Sequence, residues 1–167
     1  MGSAGSSKSY FIVQKLIIRA LREKVRVLVC RATSRSLRES TFNLFQEILA
    51  KWQIIKYVKI RENDMYIKFP NGSEIIFIGL DDEGKLLSIN NISVVFVEEA
   101  AYVRKDIVDQ LNYRLRGDAQ NKQIIMAFNP ISKSNWLYNF CEVNPPEGTF
   151  FVIFSCSFFW SRSKSIT

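Results

Sequence analysis

The chain has 167 residues, 47% apolar and 13% aromatic, which fits one domain with a core of its own. Three scattered cysteines and no histidine exclude a disulfide framework and the common zinc sites, and they suit a reducing, cytosolic setting. The net charge of +7 is uneven: residues 1–56 carry eleven basic and three acidic side chains, residues 57–167 twelve and thirteen, so the first third is a candidate polyanion surface.

In chain order, the first signal is GSAGSSKS over residues 2–9, close to the phosphate-cradling pattern G-x-x-x-x-G-K-[ST], with Gly2, Gly5, Lys8 and Ser9 in place and Ser7 standing where the pattern has glycine. In such a loop glycines let backbone N–H groups turn towards phosphates, the lysine reaches the β and γ phosphates, and the neighbouring hydroxyl binds Mg²⁺. A small-residue turn capping a helix would read the same way. Apolar residues Phe11, Ile12, Leu16, Ile17, Ala20 and Leu21 then predict a helix from Ser9 to about Lys24, its basic end suiting the helix dipole. VRVLVC (25–30) predicts a strand buried on both faces, and Leu37, Phe42, Leu44, Phe45, Ile48 and Leu49 mark one side of a second helix from Ser36 to about Trp52.

Alternating polar and apolar residues around Asn63-Asp64 and Pro70-Asn71-Gly72 predict a small antiparallel meander around 57–79. ISVVFVEEA (92–100) and QIIMAFNP (123–130) read as buried strands on either side of a helix over 106–116. This alternation is that of an α/β protein with a mostly parallel sheet flanked by helices.

Two strand ends carry chemistry. SVVFVEEA ends in Glu98 and Glu99; adjacent carboxylates at such an edge can divide labour, one holding Mg²⁺ through water and the other deprotonating an attacking water. A solvated strand end is the plain alternative. IIMAFNP ends in Asn129, whose amide can hydrogen-bond a γ-phosphate or the lytic water, or simply open a turn with Pro130.

Taken together, GSAGSSKSYF, VRVLVCRATSRSLRESTF, the GLDD of residues 79–82, VVFVEEAAYV, LNYRLRG and IIMAFNPISKSNWLY resemble the large subunit of phage terminase, the ATPase that packages viral DNA, over residues 2 to about 155. The resemblance implies a RecA-like P-loop NTPase fold with ATP and Mg²⁺ as cofactors. It implies a Walker A loop formed by Gly2, Gly5, Ser6, Ser7, Lys8 and Ser9, with Ser9 and Glu98 on the Mg²⁺ side. Glu99 is then the catalytic base and Asn129 belongs to the coupling motif.

Implied partners are double-stranded DNA held without sequence preference, the portal protein, the small terminase subunit and a homo-oligomeric ring. The implied setting is the cytoplasm of a bacterial host, with phage or prophage coding. An arginine finger is sought in GKLLSINN, which offers only Lys85, or at Arg114 and Arg116, where a basic helix end is the alternative; Arg31, Arg35 and Arg38 face either DNA phosphates or water.

Against the family's pattern, the expectation is an ATPase domain over 1–155 lacking its first strand, an atypical tail over 156–167, and no nuclease domain. A strand at about 149–155 either moves across to pair directly with 123–129 or leaves that edge open, so that the chain aggregates or needs a partner; in both cases a loop without its strand anchor is expected to hydrolyse ATP poorly. A non-catalytic prophage remnant and another RecA-type DNA-dependent ATPase are the competing readings. Apolar runs such as TFFVIFSCSFFW fall short of the ~20 residues that span a bilayer, so no membrane association is expected.

Overall fold

Between its two terminal arginines the run RVLVCR carries no charged residue, and it forms a strand, β1 (Arg26–Arg31), in which Val27, Leu28, Val29 and Cys30 are all fully buried. Such a strand needs a partner on each edge and a layer on each face. In the computed structural model, which describes residues 6–116, 121–129, 131–150 and 152 and gives only the backbone of Ser6, Ser7 and Glu83, both partners are parallel: β4 (Glu74–Gly79) and β5 (Val94–Glu98). β6 (Gln123–Ala127) lies parallel beside β5, while β2 (Lys59–Arg61) and β3 (Tyr66–Lys68) run antiparallel into β4. The sheet order is β2-β3-β4-β1-β5-β6.

The expected meander is therefore an extension of one sheet edge whose last strand joins the parallel core. Among the described residues β6 forms the other edge. The strand expected at about 149–155 lies outside the described residues, apart from Thr149, Phe150 and Val152, which are not in a strand.

Strand alternation sends Val27 and Val29 to one face and Leu28 and Cys30 to the other, so two cores form. The first is roofed by the helix Ser6–Arg22 through Val13, Leu16 and Ile17, and by a helix over 34–51 through Phe42, Phe45 and Ile48. Phe77 of β4 meets Phe42 and Phe45 edge-on, each at 5.0 Å between ring centres. The second core places Leu86, Ile107, Val108 and Leu111 over Leu28, Val95 and Val97. The first helix is rotated slightly from the expected face: Val13 is buried, whereas Phe11 and Leu21 are about half exposed.

The second helix is not regular. It consists of Ser34–Leu37, a π-helical turn Arg38–Phe42 and Asn43–Lys51. Its start is fixed by the GLDD segment, because Asp81 Oδ1 accepts from the Ser34 N–H and hydroxyl, both at 2.9 Å. Gly79 is required there, since a Cβ would overlap the Ser34 backbone nitrogen. Asp82 in turn caps the helix Glu83–Ser88 by accepting from the Lys85 N–H at 3.0 Å.

Candidate active site

Parallel strands deliver their C-terminal ends to one edge, and in open α/β sheets ligands bind there. At this edge β1 ends in Arg31, β5 in Glu98 followed by Glu99, and β6 in Ala127 followed by Phe128 and Asn129. The first helix begins at the same place and brings Lys8 and Ser9 in its first turn. The result is a cavity of about 400 Å³ lined by Lys8, Ser9, Arg31, Glu98, Glu99 and Asn129, among others.

Two contacts join the distant motifs. The Ser9 hydroxyl donates to Glu98 Oε1 at 2.6 Å across 89 residues, and the Lys8 ammonium donates to Asn129 Oδ1 at 2.6 Å across 121. Ser9 and Glu98 are each only 8% exposed, so this hydroxyl–carboxylate pair works in a desolvated setting where hydrogen bonds to charge are strong. Gly2 and Gly5 lie outside the described residues, and Ser6 and Ser7 open the helix.

The two carboxylates differ in setting. Glu98 closes a strand buried along its whole length, and its second oxygen accepts from the Thr41 hydroxyl and from the Ser40 hydroxyl at 3.2 Å. Glu99 stands in the left-handed region at φ 53°, ψ 44°, where a non-glycine residue costs about 1–3 kcal/mol. That conformation ends β5, and the Glu99 side chain is 45% exposed. Backbone strain at such a carboxylate is a mark of functional sites.

Arg31, expected to face DNA phosphates or water, instead turns in toward the two carboxylates. Its guanidinium grips Glu99 in a fork, Nη2 to Oε1 at 2.6 Å and Nε to Oε2 at 3.2 Å, while Nη1 lies 3.5 Å from Glu98 Oε2. With a side chain only 15% exposed, it offsets the repulsion of two neighbouring carboxylates. Ser40 and Thr41 were missed as well. They sit in the π-helical turn, a feature that recurs at functional sites, and no spacing rule for a regular helix would aim them at Glu98.

The remaining basic candidates are elsewhere. Arg35 pairs with Glu39 on the surface, and Arg38 donates to the carbonyls of Glu62 and Asn63 at 2.6 and 3.1 Å. Lys85 pairs with Asp82. Arg114 and Arg116 line an open groove of about 570 Å³ with Leu87, Asn91 and Tyr113, at the N-terminal end of β5 and so across the sheet from Glu98 and Glu99. That groove is the larger cavity but contains no carboxylate, and size does not decide between them. Neither arginine reaches Glu98 or Glu99 of its own chain.

Among the described residues there is no cluster of three or more metal-ligating side chains, and no helix is long and apolar enough to cross a membrane. Both described cysteines, Cys30 and Cys141, are buried free thiols whose pKa burial pushes up, which makes them inert.

A parallel sheet whose strand ends meet a Lys-Ser helix start, with paired carboxylates opposite, defines a P-loop domain of RecA-like fold. The sequence model of the phage terminase large subunit family matches residues 1–144, and the chain belongs to that family. It is 38% identical over 138 residues to the PBSX phage terminase large subunit of Bacillus subtilis (strain 168), a match covering 83% of this chain and 32% of the relative. The chain thus spans about a third of that relative's length.

Two solved structures share the fold. The large terminase of a thermophilic bacteriophage, in complex with ATP-gamma-S, aligns with a TM-score of 0.63 at 19% identity, over 81% of this chain and 33% of that one. The ATPase domain of the Thermus phage P74-26 large terminase aligns with a TM-score of 0.61 at 17% identity, over 82% and 60%.

Proposed function

We propose that this chain binds ATP at the strand edge described above and hydrolyses it to move double-stranded DNA into a procapsid, as the ATPase part of a terminase large subunit over residues 1–155. The observation that carries the reading is the 2.6 Å hydrogen bond from Ser9 to Glu98, which ties the phosphate-loop hydroxyl to the first of two strand-end carboxylates. A helix start that merely caps itself would have no reason to meet a buried glutamate from 89 residues away.

In this reading the N-terminus of the first helix and Lys8 take the β and γ phosphates, with Gly2, Gly5, Ser6 and Ser7 supplying backbone N–H groups. The Ser9 hydroxyl and a Glu98 carboxylate oxygen form a hard, buried oxygen pair, a donor set that suits Mg²⁺, which otherwise keeps waters and phosphate oxygens. Bound there, Mg²⁺ would supply charge neutralisation on the phosphates. Glu99, the exposed member of the pair, takes the proton of the attacking water, and Asn129 reads the γ-phosphate beside Lys8. Arg31 hydrogen-bonds each Glu99 oxygen once, which orients the carboxylate and leaves a lone pair on each oxygen for the water. Portal protein, small subunit and a ring of like subunits complete the motor, and an arginine finger, if Arg114 or Arg116 supplies it, acts on a neighbour's site.

The test is nucleotide binding before turnover. Labelled ATP should bind the chain with Mg²⁺, and Lys8→Ala should lose at least tenfold in affinity; equal affinities, or binding indifferent to Mg²⁺, would remove the phosphate loop from the account. Glu99→Gln should keep ATP binding and lose about 10²–10⁴-fold in turnover, the usual worth of a positioned base.

A further inference from the structure

Strand register sets a row of charges across one face of the sheet. Arg26 of β1 faces Glu74 of β4, Glu74 faces Lys68 of β3, and Lys68 faces Lys59 of β2. Two residues further along, the row is Leu28, Ile76, Tyr66 and Arg61. On the β1 and β5 side this face is roofed, with Leu28 buried beneath Leu86 and Leu111. On β2 and β3 it is bare: Lys59, Arg61 and Lys68 are exposed.

The opposite face of the same two strands, carrying Ile60 and Ile67, packs into the first core. Within the β2–β3 pair the directly opposed Lys59 and Lys68 work against folding, since like charges across a strand pair destabilise. Glu74 is the carboxylate of the row, and it is already engaged: by the Tyr66 hydroxyl at 2.7 Å, Arg26 at 3.1 Å and Lys68 at 3.7 Å. Neither Lys59 nor Arg61 has a carboxylate partner among the described residues; the Arg61 guanidinium lies over the Tyr66 ring at 5.6 Å. Glu62 and Asp64 stand on the hairpin turn, at the far end of β2 from Lys59. At the Lys59 end, more cations gather. Lys24 packs against the turn at Gly72, next to the strand starts that carry Arg26 and Glu74, and Lys56 lies just before β2.

We propose that the bare face of β2 and β3 is the surface on which this chain holds the phosphate backbone of double-stranded DNA, through Lys59, Lys68 and Arg61. Side chains two residues apart on a strand stand about 6.6 Å apart and neighbouring strands about 4.8 Å apart. That spacing offers a grid of cations to a polyanion carrying one charge per ~1.7 Å of duplex axis. Backbone contacts of this kind carry no sequence information, which is what a translocating motor needs. Protection of an exposed edge explains Lys59 and Arg61 on β2, but not Lys68 and Tyr66, which lie on β3 inside the sheet.

The choice of a duplex rests on the DNA-motor reading, while the measurement uses no nucleotide, so failure of the ATP site and failure of this surface give separate results. Anisotropy of a labelled duplex is titrated with the full chain between 50 and 200 mM salt. The wild type should bind with log affinity falling linearly in log salt. The triple variant Lys59→Ala/Arg61→Ala/Lys68→Ala should bind at least tenfold more weakly at low salt, with a slope shallower by about two to three, at about 0.9 per phosphate contact. Lys15→Ala/Arg22→Ala on the exposed side of the first helix should leave the slope unchanged. Should the triple variant unfold, Lys59→Gln/Lys68→Gln replaces it and should lose about two slope units at wild-type stability. Four results would overturn the proposal: no duplex binding by the wild type, an unchanged slope in the variants, an equal loss in the first-helix control, or displacement of duplex by polyglutamate at equal charge, which would mark an acidic protein as the ligand.

Discussion

The two halves of the sheet solve opposite problems. β1, β5 and β6 run parallel, and β1 and β5 are buried on both faces; their polar residues are confined to the strand ends, where the chemistry collects. β2 and β3 run antiparallel, bury one face through Ile60 and Ile67, and spread polar residues along the other. A strand covered on both faces can present function only at its tip, whereas a strand covered on one face can present it along its length. The nucleotide edge and the proposed DNA surface follow from that difference.

The largest test of the contrast is energetic. Phe96, fully buried in β5 between Val29 and Ile125, should cost about 3–5 kcal/mol when truncated to alanine. Ile60, half-buried in β2, should cost only about 1–2 kcal/mol, part of the value of a full side-chain burial. Urea unfolding of the two variants measures both, and equal losses would mean the meander is as integral to the core as the parallel strands.

Within the parallel half, Arg31→Ala leaves Glu98 and Glu99 side by side without their shared cation. We expect a loss of roughly 3 kcal/mol, at the lower end for breaking a buried pair, with Arg31→Lys recovering part of it because a point charge replaces a fork. Thr41→Val keeps the shape and removes a hydroxyl from Glu98, for about 1–3 kcal/mol. If both variants unfold like the wild type, Arg31 and Thr41 do not hold the carboxylates in place.

How far these halves could be read from sequence follows the same line. VLVC and VVFV declare buried strands by being apolar throughout, and Lys8-Ser9, the Glu98-Glu99 pair and Asn129 stand at helix or strand ends, so their meeting follows once the strands are parallel. Arg31, Ser40 and Thr41 were not legible. Arg31 reaches Glu99 only through the β1–β5 neighbourhood, and Ser40 and Thr41 reach Glu98 only through a π-helical turn, neither of which leaves a mark in local spacing. The charge count that makes residues 1–56 a candidate polyanion surface does not register pairing: Arg19, Arg31 and Arg35 of that stretch are engaged by carboxylates. The unpaired cations on a bare face, Lys59 and Arg61, lie just beyond it.

The smallest expected effect separates the halves by pH. The Tyr66 hydroxyl donates to Glu74 Oε1 at 2.7 Å, and its pKa is pushed up to about 12, first by burial and then by the bond to Glu74. The folded state therefore holds this proton more tightly than the unfolded chain, where a tyrosine ionises near 10. The stability it contributes is fully present below about pH 10 and is lost as pH rises towards about 12, because over that window the unfolded state sheds the proton first. Tyr66→Phe cannot ionise, so it should unfold slightly more easily than the wild type at neutral pH, by about 1 kcal/mol for the lost hydrogen bond. The gap between the two should then narrow between pH 10 and 12. Urea midpoints of both proteins across that range give the difference directly, and tyrosines common to both cancel from it. A gap that stays constant would mean that Tyr66 is not buried and held by Glu74 as described.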